Sequence, residues 1–225
     1  GYARATGKPG VAYVITGPGL CNIMTPMGQA YSDSVPMLVI SSCLNRADLG
    51  MGRGRLHEMK DQEIAAVFAS VLAFGRVSLF LPKVKELLDI SDTHGGPRAW
   101  IQSFSLSHAT EIAGISYRWN KAPDFALLCF SLQAILAEYR SLEEFFLEHY
   151  QTEDIDIRDC LNRTLLQWRN YSLKSATKLS LSAQKFSDLP KGFRYFLSLP
   201  EDGSACKRWH MFLRWMVRKG EPDLP

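Results

Sequence analysis

LHEMKDQEIAAVFASVLAFG, residues 56–75, divides this chain into two parts of different character. Gln62–Gly75 carries apolar residues at helical spacing, which predicts a helix with Asp61 as its N-cap. Before this stretch lie Gly-rich turns and short apolar runs, and after it lie amphipathic helical patterns. We therefore predict a mixed fold, with a short, truncated α/β piece over residues 1–60 followed by an all-α domain over residues 61–225.

Two strands and an intervening helix are predicted in the first part. Val11–Ile15 and Met37–Ile40 are short apolar runs typical of buried strands, and Asn22–Tyr31 has helical spacing between them. This order predicts a βαβ unit with parallel strands and a right-handed crossover. Thr16–Gly19 (TGPG) forms the turn before the helix. Such a loop can bind an anion, although a tight turn is the simpler explanation.

Apolar periodicity and helix-end signals predict the elements of the second part. Pro123 suits a first helical turn, Ser141 and Glu144 have the spacing of a capping box, and Ser172–Ser187 is predicted as a polar helix. The other predicted elements are Pro82–Ile90, the short Trp100–Phe104, Pro123–Tyr139, Asp156–Tyr171 and Ser204–Lys219.

Composition limits the classes of function. The net charge of +3 over 225 residues is too small to indicate a nucleic-acid partner by itself. The five cysteines are scattered and odd in number, which favours buried thiols in a reducing compartment over a disulfide framework. No apolar run reaches the roughly 20 residues that span a bilayer. We expect a cytoplasmic protein without a membrane partner, and the start at Gly1 in mid-motif suggests a non-native N-terminus.

Three motifs in the first part resemble a known family. They are GYARATGKPG (Gly1–Gly10), TGPGxxNxxT (Thr16–Thr25) and AYxDSVP (Ala30–Pro36), and GRGRLHEMKDQ (Gly52–Gln62) continues them. In this order and spacing they resemble the pyrimidine-binding domain of thiamine diphosphate enzymes, in the branch of the acetolactate synthases and 2-oxo acid decarboxylases.

The resemblance implies a place for the cofactor. In that family the TGPG loop lies near the aminopyrimidine ring, which implies that Gly17, Pro18, Gly19 and Asn22 contribute to a thiamine diphosphate site. The family's catalytic glutamate precedes the GYAR motif, and a separate domain holds the diphosphate and its Mg²⁺. We therefore expect this piece to keep part of the cofactor wall without the catalytic machinery.

The second part resembles another family. DxEIAAVFASVLAFGRV (Asp61–Val77), SYRWN (Ser116–Asn120), KGFRYFLSLP (Lys191–Pro200) and GSACKRWHMFLRWMVR (Gly203–Arg218) are similar to an uncharacterised bacterial all-helical family. That family is itself distantly similar to helix-hairpin-helix DNA glycosylases. Its members continue beyond Leu224 with a His- and Asp-rich region, so the resemblance implies a domain truncated at its C-terminus.

The last predicted helix carries a basic face. At 100° per residue, Lys207, Arg214 and Arg218 lie within about 40° of one another, with Arg208 beside them. Such a face can contact successive phosphates of a nucleic acid. Phe212 and Met216 are expected on the opposite, core-facing side. The alternative is an ordinary solvated face of an amphipathic helix.

Four further groups have simpler structural explanations. Cys206 and His210 share a helical face but lack a second ligand pair, so we predict no metal site. His94 precedes two glycines, as in a turn. Glu143, Glu144 and Glu148 could serve acid–base chemistry, although Glu143 and Glu144 suit the first turn of a helix, where the helix dipole favours carboxylates. Tyr117, Arg118 and Trp119 of SYRWN could stack on bases, although packing of the arginine on an aromatic ring is favoured.

Two hypotheses of function follow. The first is a fused or fragmentary protein, with a partial thiamine diphosphate-binding region and an uncharacterised helical domain, that is not catalytically active alone. The second is a nucleic-acid-binding module of DNA-glycosylase-like ancestry that uses the basic helix. A glycosylase also needs an activating carboxylate beside an extruded base, and the sequence does not identify one.

Overall fold

The computed structural model describes residues 2–14, 23–24, 26–28, 30, 33–41 and 59–217. The chain divides into two compact units. One contains residues 1–62 with 218–225, and the other contains residues 63–217. The predicted combination of a short α/β piece and a helical region is present.

The amino-terminal unit contains a two-stranded parallel sheet. Helix α1 (Tyr2–Thr6) precedes strand β1 (Gly10–Val14), which pairs with β2 (Met37–Ser41) in a register that places Gly10 opposite Met37. The parallel pairing confirms the predicted arrangement of the two strands. Between them, residues 23–24, 26–28 and 30 are helical, within the predicted helix Asn22–Tyr31.

The helical unit is built from short and medium helices. In its described residues no strand longer than an isolated bridge is present. The helices are α2 (Met59–Leu72), α3 (Val77–Thr93), α4 (Pro97–Gln102), α5 (Leu106–Glu111), α6 (Ala122–Glu138), α7 (Leu142–Glu148), α8 (Ile157–Ala176), α9 (Lys191–Phe196) and α10 (Lys207–Val217), with 3₁₀ turns at Thr177–Leu179 and Phe186–Asp188.

Helix α6 lies at the centre of the core. Its residues from Asp124 to Leu132 are all buried, because α4, α8 and α9 pack around it. The helix is apolar on nearly all sides, as expected for a helix surrounded by others. Trp100 and Trp168 are fully buried, and the Trp168 indole N–H donates to Ser131 Oγ at 2.9 Å. The core is one continuous cluster in which aliphatic side chains surround a set of buried aromatic rings.

Several predicted helix bounds were wrong. Helix α3 begins at Val77, five residues before the predicted start at Pro82, because Arg76 O accepts from the N–H groups of Leu79 and Phe80. Helix α2 begins at Met59, so Asp61 lies in its first turn and is not its N-cap.

The predicted polar helix Ser172–Ser187 was also wrong, since α8 runs without a break to Ala176 and a 3₁₀ turn follows. Two helix starts, at Ser141 and at Asp156, lay closer to their predicted positions. Asp156 is the N-cap of α8 and accepts from Arg158 N, and Ser141 Oγ accepts from Glu144 N. Glu144 reaches the N–H of Arg140 and not that of Ser141, which departs from a standard capping box.

Two buried carboxylates hold helix ends together. Glu63 of α2 accepts from the N–H groups of Leu142 and Glu143 at 3.0 Å each, where α7 begins. Asp124 of α6 accepts from Lys121 N at 2.7 Å and from Phe193 N of α9 at 2.8 Å. Burial raises the pKa of both carboxyl groups above their usual range, against the opposing effect of these hydrogen bonds.

The thiols of the described cysteines are unpaired and buried. Cys129, Cys160 and Cys206 form no disulfide, as predicted, and Cys21 and Cys43 lie outside the described residues.

No single described helix is long and apolar enough to cross a bilayer. Only α6 and α7 taken together meet that criterion, across a bend of 73°.

Candidate nucleic-acid interface

Helix α10 separates a buried aromatic face from a basic one. Trp209 and Phe212 are buried, whereas Lys207 and Arg214 are exposed on the opposite side. The two cations are seven residues apart, which is about 10.5 Å along the helix. Met216, which we expected in the core, is 36% exposed. Lys207 and Arg214, the first two residues of the predicted basic face, therefore lie together on the exposed side of α10.

Arg208 is directed away from that face. Its Nη1 donates to Val71 O at 3.0 Å, and its Nη2 donates to Tyr195 O. The guanidinium lies 3.9 Å from the centre of the Tyr195 ring, and burial lowers its pKa. These contacts fasten the start of α10 to α2 and α9. Arg208 is thus engaged by protein groups, and Arg218, the fourth predicted contact, lies outside the described residues.

An aromatic cluster continues from Arg208 to the surface. The ring of Trp119 stacks on Phe74 with centroids 5.0 Å apart and meets Tyr195 edge-on at the same separation. Tyr117 packs against Phe74 at 4.8 Å and donates its hydroxyl to Phe74 O. Trp119 remains 45% exposed, so the cluster ends in an accessible indole.

Arg118 of the SYRWN motif packs on the same cluster. Its guanidinium lies 5.7 Å from the Phe74 ring centre and 6.0 Å from that of Tyr117, as the packing alternative predicted. Gly75 permits this approach, because a Cβ there would lie 2.5 Å from Arg118 Nη2. Gly75 also has a φ of +87°, which other residues rarely adopt. The structure thereby joins SYRWN and α10, which are separated by almost ninety residues in the sequence.

A cleft of about 480 Å³ opens beside the start of α10. Arg169 lines one side of this cleft. Its Nε donates to Leu197 O, its guanidinium pairs with Asp202, and the guanidinium carbon lies 4.0 Å from the centre of the Phe186 ring. Arg194 also lines the cleft, and its buried Nε has no hydrogen-bond partner. Arg194 is a candidate anion ligand that was not predicted from the sequence. Its position in KGFRYF, one residue before Tyr195, was the available signal.

The remaining predicted groups are placed as follows. Cys206 is buried, and its thiol donates to Ser198 O at 3.2 Å. This residue therefore has a structural role in packing. Glu144, in the first turn of α7, forms an ion pair at 3.0 Å with Arg140, which precedes that helix. The thiamine diphosphate residues Gly17, Pro18, Gly19 and Asn22 lie outside the described residues.

One cluster was missed at the sequence level. His94, His108 and Glu111 bring ligand-type atoms within 4.8 Å of one another. His94 does lie in the turn after α3, as expected for its neighbouring glycines. The local signal was the i,i+3 pair of His108 and Glu111, which share a helical face.

Three curated relatives match part of the chain. A probable 2-ketoarginine decarboxylase of Pseudomonas aeruginosa is 53% identical over 88 residues, which are 39% of this chain and 15% of the relative. The mitochondrial acetolactate synthase catalytic subunit of Saccharomyces cerevisiae is 48% identical over 50 residues, 22% of this chain and 7% of the relative. An acetolactate synthase of Arthrospira platensis is 34% identical over 107 residues, 48% of this chain and 16% of the relative. The chain thus spans less than a fifth of each of these proteins.

Two families match different parts of the chain. Residues 1–65 match the N-terminal TPP binding domain of thiamine pyrophosphate enzymes, which supports the first predicted resemblance. No solved structure matches this chain. Residues 53–225, more than half of the chain, match the family described as a protein of unknown function, DUF2400, and the chain belongs to that family.

Proposed function

We propose that the helical unit binds nucleic acid, with Lys207 and Arg214 contacting phosphates and Trp119 stacking on a base. The observation that carries this proposal is the position of Arg208, which packs on Tyr195 beside Trp119. That contact places Trp119 beside the start of α10, the helix that also carries Lys207 and Arg214. Arg194 at the adjoining cleft supplies a further cation.

Single-stranded nucleic acid suits this surface better than a duplex. An exposed indole can stack on an unpaired base, whereas the bases of a duplex are already stacked on one another. Lys207 and Arg214 are about 10.5 Å apart along α10, so they can contact two different phosphates of one strand. The proposal is therefore a cationic helix that follows the backbone and an aromatic platform beside it.

A glycosylase-like ancestry is compatible with this proposal, but we assign no base excision to the unit. Such chemistry needs a carboxylate that can reach an extruded base. Glu63 and Asp124, two buried carboxylates of the helical unit, each accept two main-chain N–H groups at helix ends. The proposed function is binding, and these two groups have structural roles.

Replacing Lys207 and Arg214 by glutamine should weaken binding of the full chain to a single-stranded oligonucleotide about five- to tenfold per residue at low salt. Trp119→Ala should weaken it by a similar factor, because base–aromatic stacking is worth about 1–3 kcal/mol. Fluorescence anisotropy measures the dissociation constants. Lys85→Gln, on the exposed side of α3, is the matched control and should bind as the wild type does. Equal affinity of all four variants would contradict the proposal.

We propose that the amino-terminal unit is homologous to part of the thiamine diphosphate enzymes and has no catalytic activity of its own. The family match over residues 1–65 supports the homology. Tyr2–Ser41 contains one acidic residue, Asp33, and its carboxylate is held by Arg4 Nη2 at 2.7 Å. This stretch therefore lacks a glutamate that could act on the cofactor's aminopyrimidine ring. On this proposal the chain joins pieces of two families, within the overlap of their matches at residues 53–65.

Titration of thiamine diphosphate and Mg²⁺ into the full chain should give no saturable heat in calorimetry. The reason is that Tyr2–Ser41, the stretch that carries the motif residues of the proposed cofactor wall, contains no glutamate. Micromolar binding that requires Mg²⁺ would overturn the inactive assignment. Replacement of Asn22 by alanine would then show whether the motif residues are responsible.

A further inference from the structure

Three side chains with metal-ligand chemistry converge on one side of the helical unit. His94 Nε2 lies 2.7 Å from Glu111 Oε2, and the rings of His94 and His108 meet edge-on with centroids 4.5 Å apart. One ligand atom from each residue lies within 4.8 Å of the other two. Among the described residues this is the one group of three such side chains.

Two adjacent segments hold these side chains in place. His94 ends α3, and its N–H and that of Gly96 both donate to Ser91 O at 3.0 Å. His108 and Glu111 are three residues apart on α5, so they project from the same face. The ring of Phe104 lies 5.8 Å from that of His108. The arrangement therefore follows from the fold of the two segments and the packing around them.

We propose that His94, His108 and Glu111 bind a divalent transition metal of the zinc class. Two imidazole nitrogens and one carboxylate oxygen form a ligand set that zinc uses when a fourth position is left open to water. Imidazole donors favour Zn²⁺, Co²⁺ and Ni²⁺ over Mg²⁺ and Ca²⁺, which prefer oxygen ligands. This site is independent of the proposed nucleic-acid interface.

The distances require only side-chain adjustment. Ligands about 2.0 Å from a tetrahedral zinc ion lie about 3.3 Å from one another. The observed separations, from 2.7 Å up to 4.8 Å, lie on either side of that value. Both histidines are half-buried and Glu111 is exposed, so each side chain can rotate without displacing the core.

Binding is coupled to the cap of α5. His108 Nδ1 accepts from Ser105 N at 3.1 Å, in the capping box that begins this helix. A metal on Nδ1 would replace that hydrogen bond. A metal on Nε2 would require a proton on Nδ1, which could donate to Ser105 Oγ but could no longer accept from Ser105 N. In either case the Ser105 amide loses its acceptor, so its hydrogen exchange should speed up when metal binds.

The test is titration of Zn²⁺ into the full chain after dialysis against a chelator. Calorimetry should show one site per chain, and Co²⁺ should give the visible absorption bands of a protein-bound ion. His94→Ala, His108→Ala and Glu111→Gln should each weaken Zn²⁺ binding about tenfold or more. His210→Ala is the control, because it removes a histidine from α10, near Cys206, and should leave the affinity unchanged.

Circular dichroism of each variant shows whether it still folds, so that a loss of Zn²⁺ binding is not confused with unfolding. Glu111→Gln preserves the size of an exposed side chain and should therefore leave the fold intact. Absence of saturable Zn²⁺ binding would overturn the proposal and leave His94 and Glu111 as a hydrogen-bonded pair only. Unchanged affinity in both histidine variants, or an equal loss in His210→Ala, would also overturn it.

Discussion

Trp209→Ala should lower the free energy of unfolding by about 3–5 kcal/mol, the largest effect that we expect from one substitution. Trp209 is 2% exposed, and its indole N–H donates to Phe196 O at 2.9 Å. Its ring lies 5.1 Å from that of Trp168 and 5.7 Å from that of Phe212. Truncation would remove these contacts, leave a cavity and free a buried carbonyl. A domain of this kind has only about 5–15 kcal/mol of stability in total.

Chemical denaturation followed by far-UV circular dichroism measures this loss. Trp215→Ala is the matched control, since it removes the same side chain from a half-buried position on the same helix. We expect the control to lose less than half as much stability. Similar losses for the two variants would show that Trp209 does not anchor α10 to the core.

Asp124→Ala should cost about 2–4 kcal/mol, the second largest effect. The substitution leaves the N–H groups of Lys121 and Phe193 without their acceptor, and the second of these is buried. It also opens space against Gly192, where an added Cβ would lie 2.1 Å from Asp124 Oδ2. The start of α6 would then be separated from the start of α9. Thermal unfolding measures the loss, and Asp188→Ala, at the exposed turn Phe186–Asp188, is the control.

Asp124→Asn should show a smaller loss that depends on pH. Burial raises the pKa of Asp124, so the folded state takes up a proton more readily than the unfolded chain does. As the pH falls from 7 through the raised pKa toward about 3.9, the wild type gains stability from this group, and asparagine does not. The difference between the two proteins should therefore grow on acidification. A difference that shrinks would contradict the assigned effect of burial.

Strong local patterns were sufficient for many elements. The predicted start of α8 at Asp156 lay within one residue of the observed start at Ile157, because the apolar stripe of this helix is clear. The parallel strands followed from two apolar runs with a helical pattern between them. Local signals failed at Pro82, since α3 continues through a proline that usually marks a helix start. They failed again after Tyr171, where an unbroken helix extends into a polar segment.

The sites depended more on tertiary contacts. Lys207 and Arg208 are adjacent cations in the sequence, and contacts with Val71 and Tyr195 distinguish the half-buried Arg208 from the exposed Lys207. Both partners are distant in the chain. The His94 cluster likewise combines residues 14 and 17 positions apart, which match no short metal motif. Helical periodicity predicts a face, whereas the orientation of a long side chain depends on what packs beside it.

The salt dependence of single-stranded DNA binding tests most directly whether α10 contacts nucleic-acid phosphates. For the full chain, the logarithm of the association constant should fall linearly with the logarithm of salt concentration. Lys207→Gln with Arg214→Gln should make that slope shallower by about 1.4, because each lost phosphate contact removes about 0.7. Lys85→Gln should leave it unchanged. A double variant with the wild-type slope, or wild-type binding that is insensitive to salt, would contradict the assignment of α10 as a nucleic-acid interface.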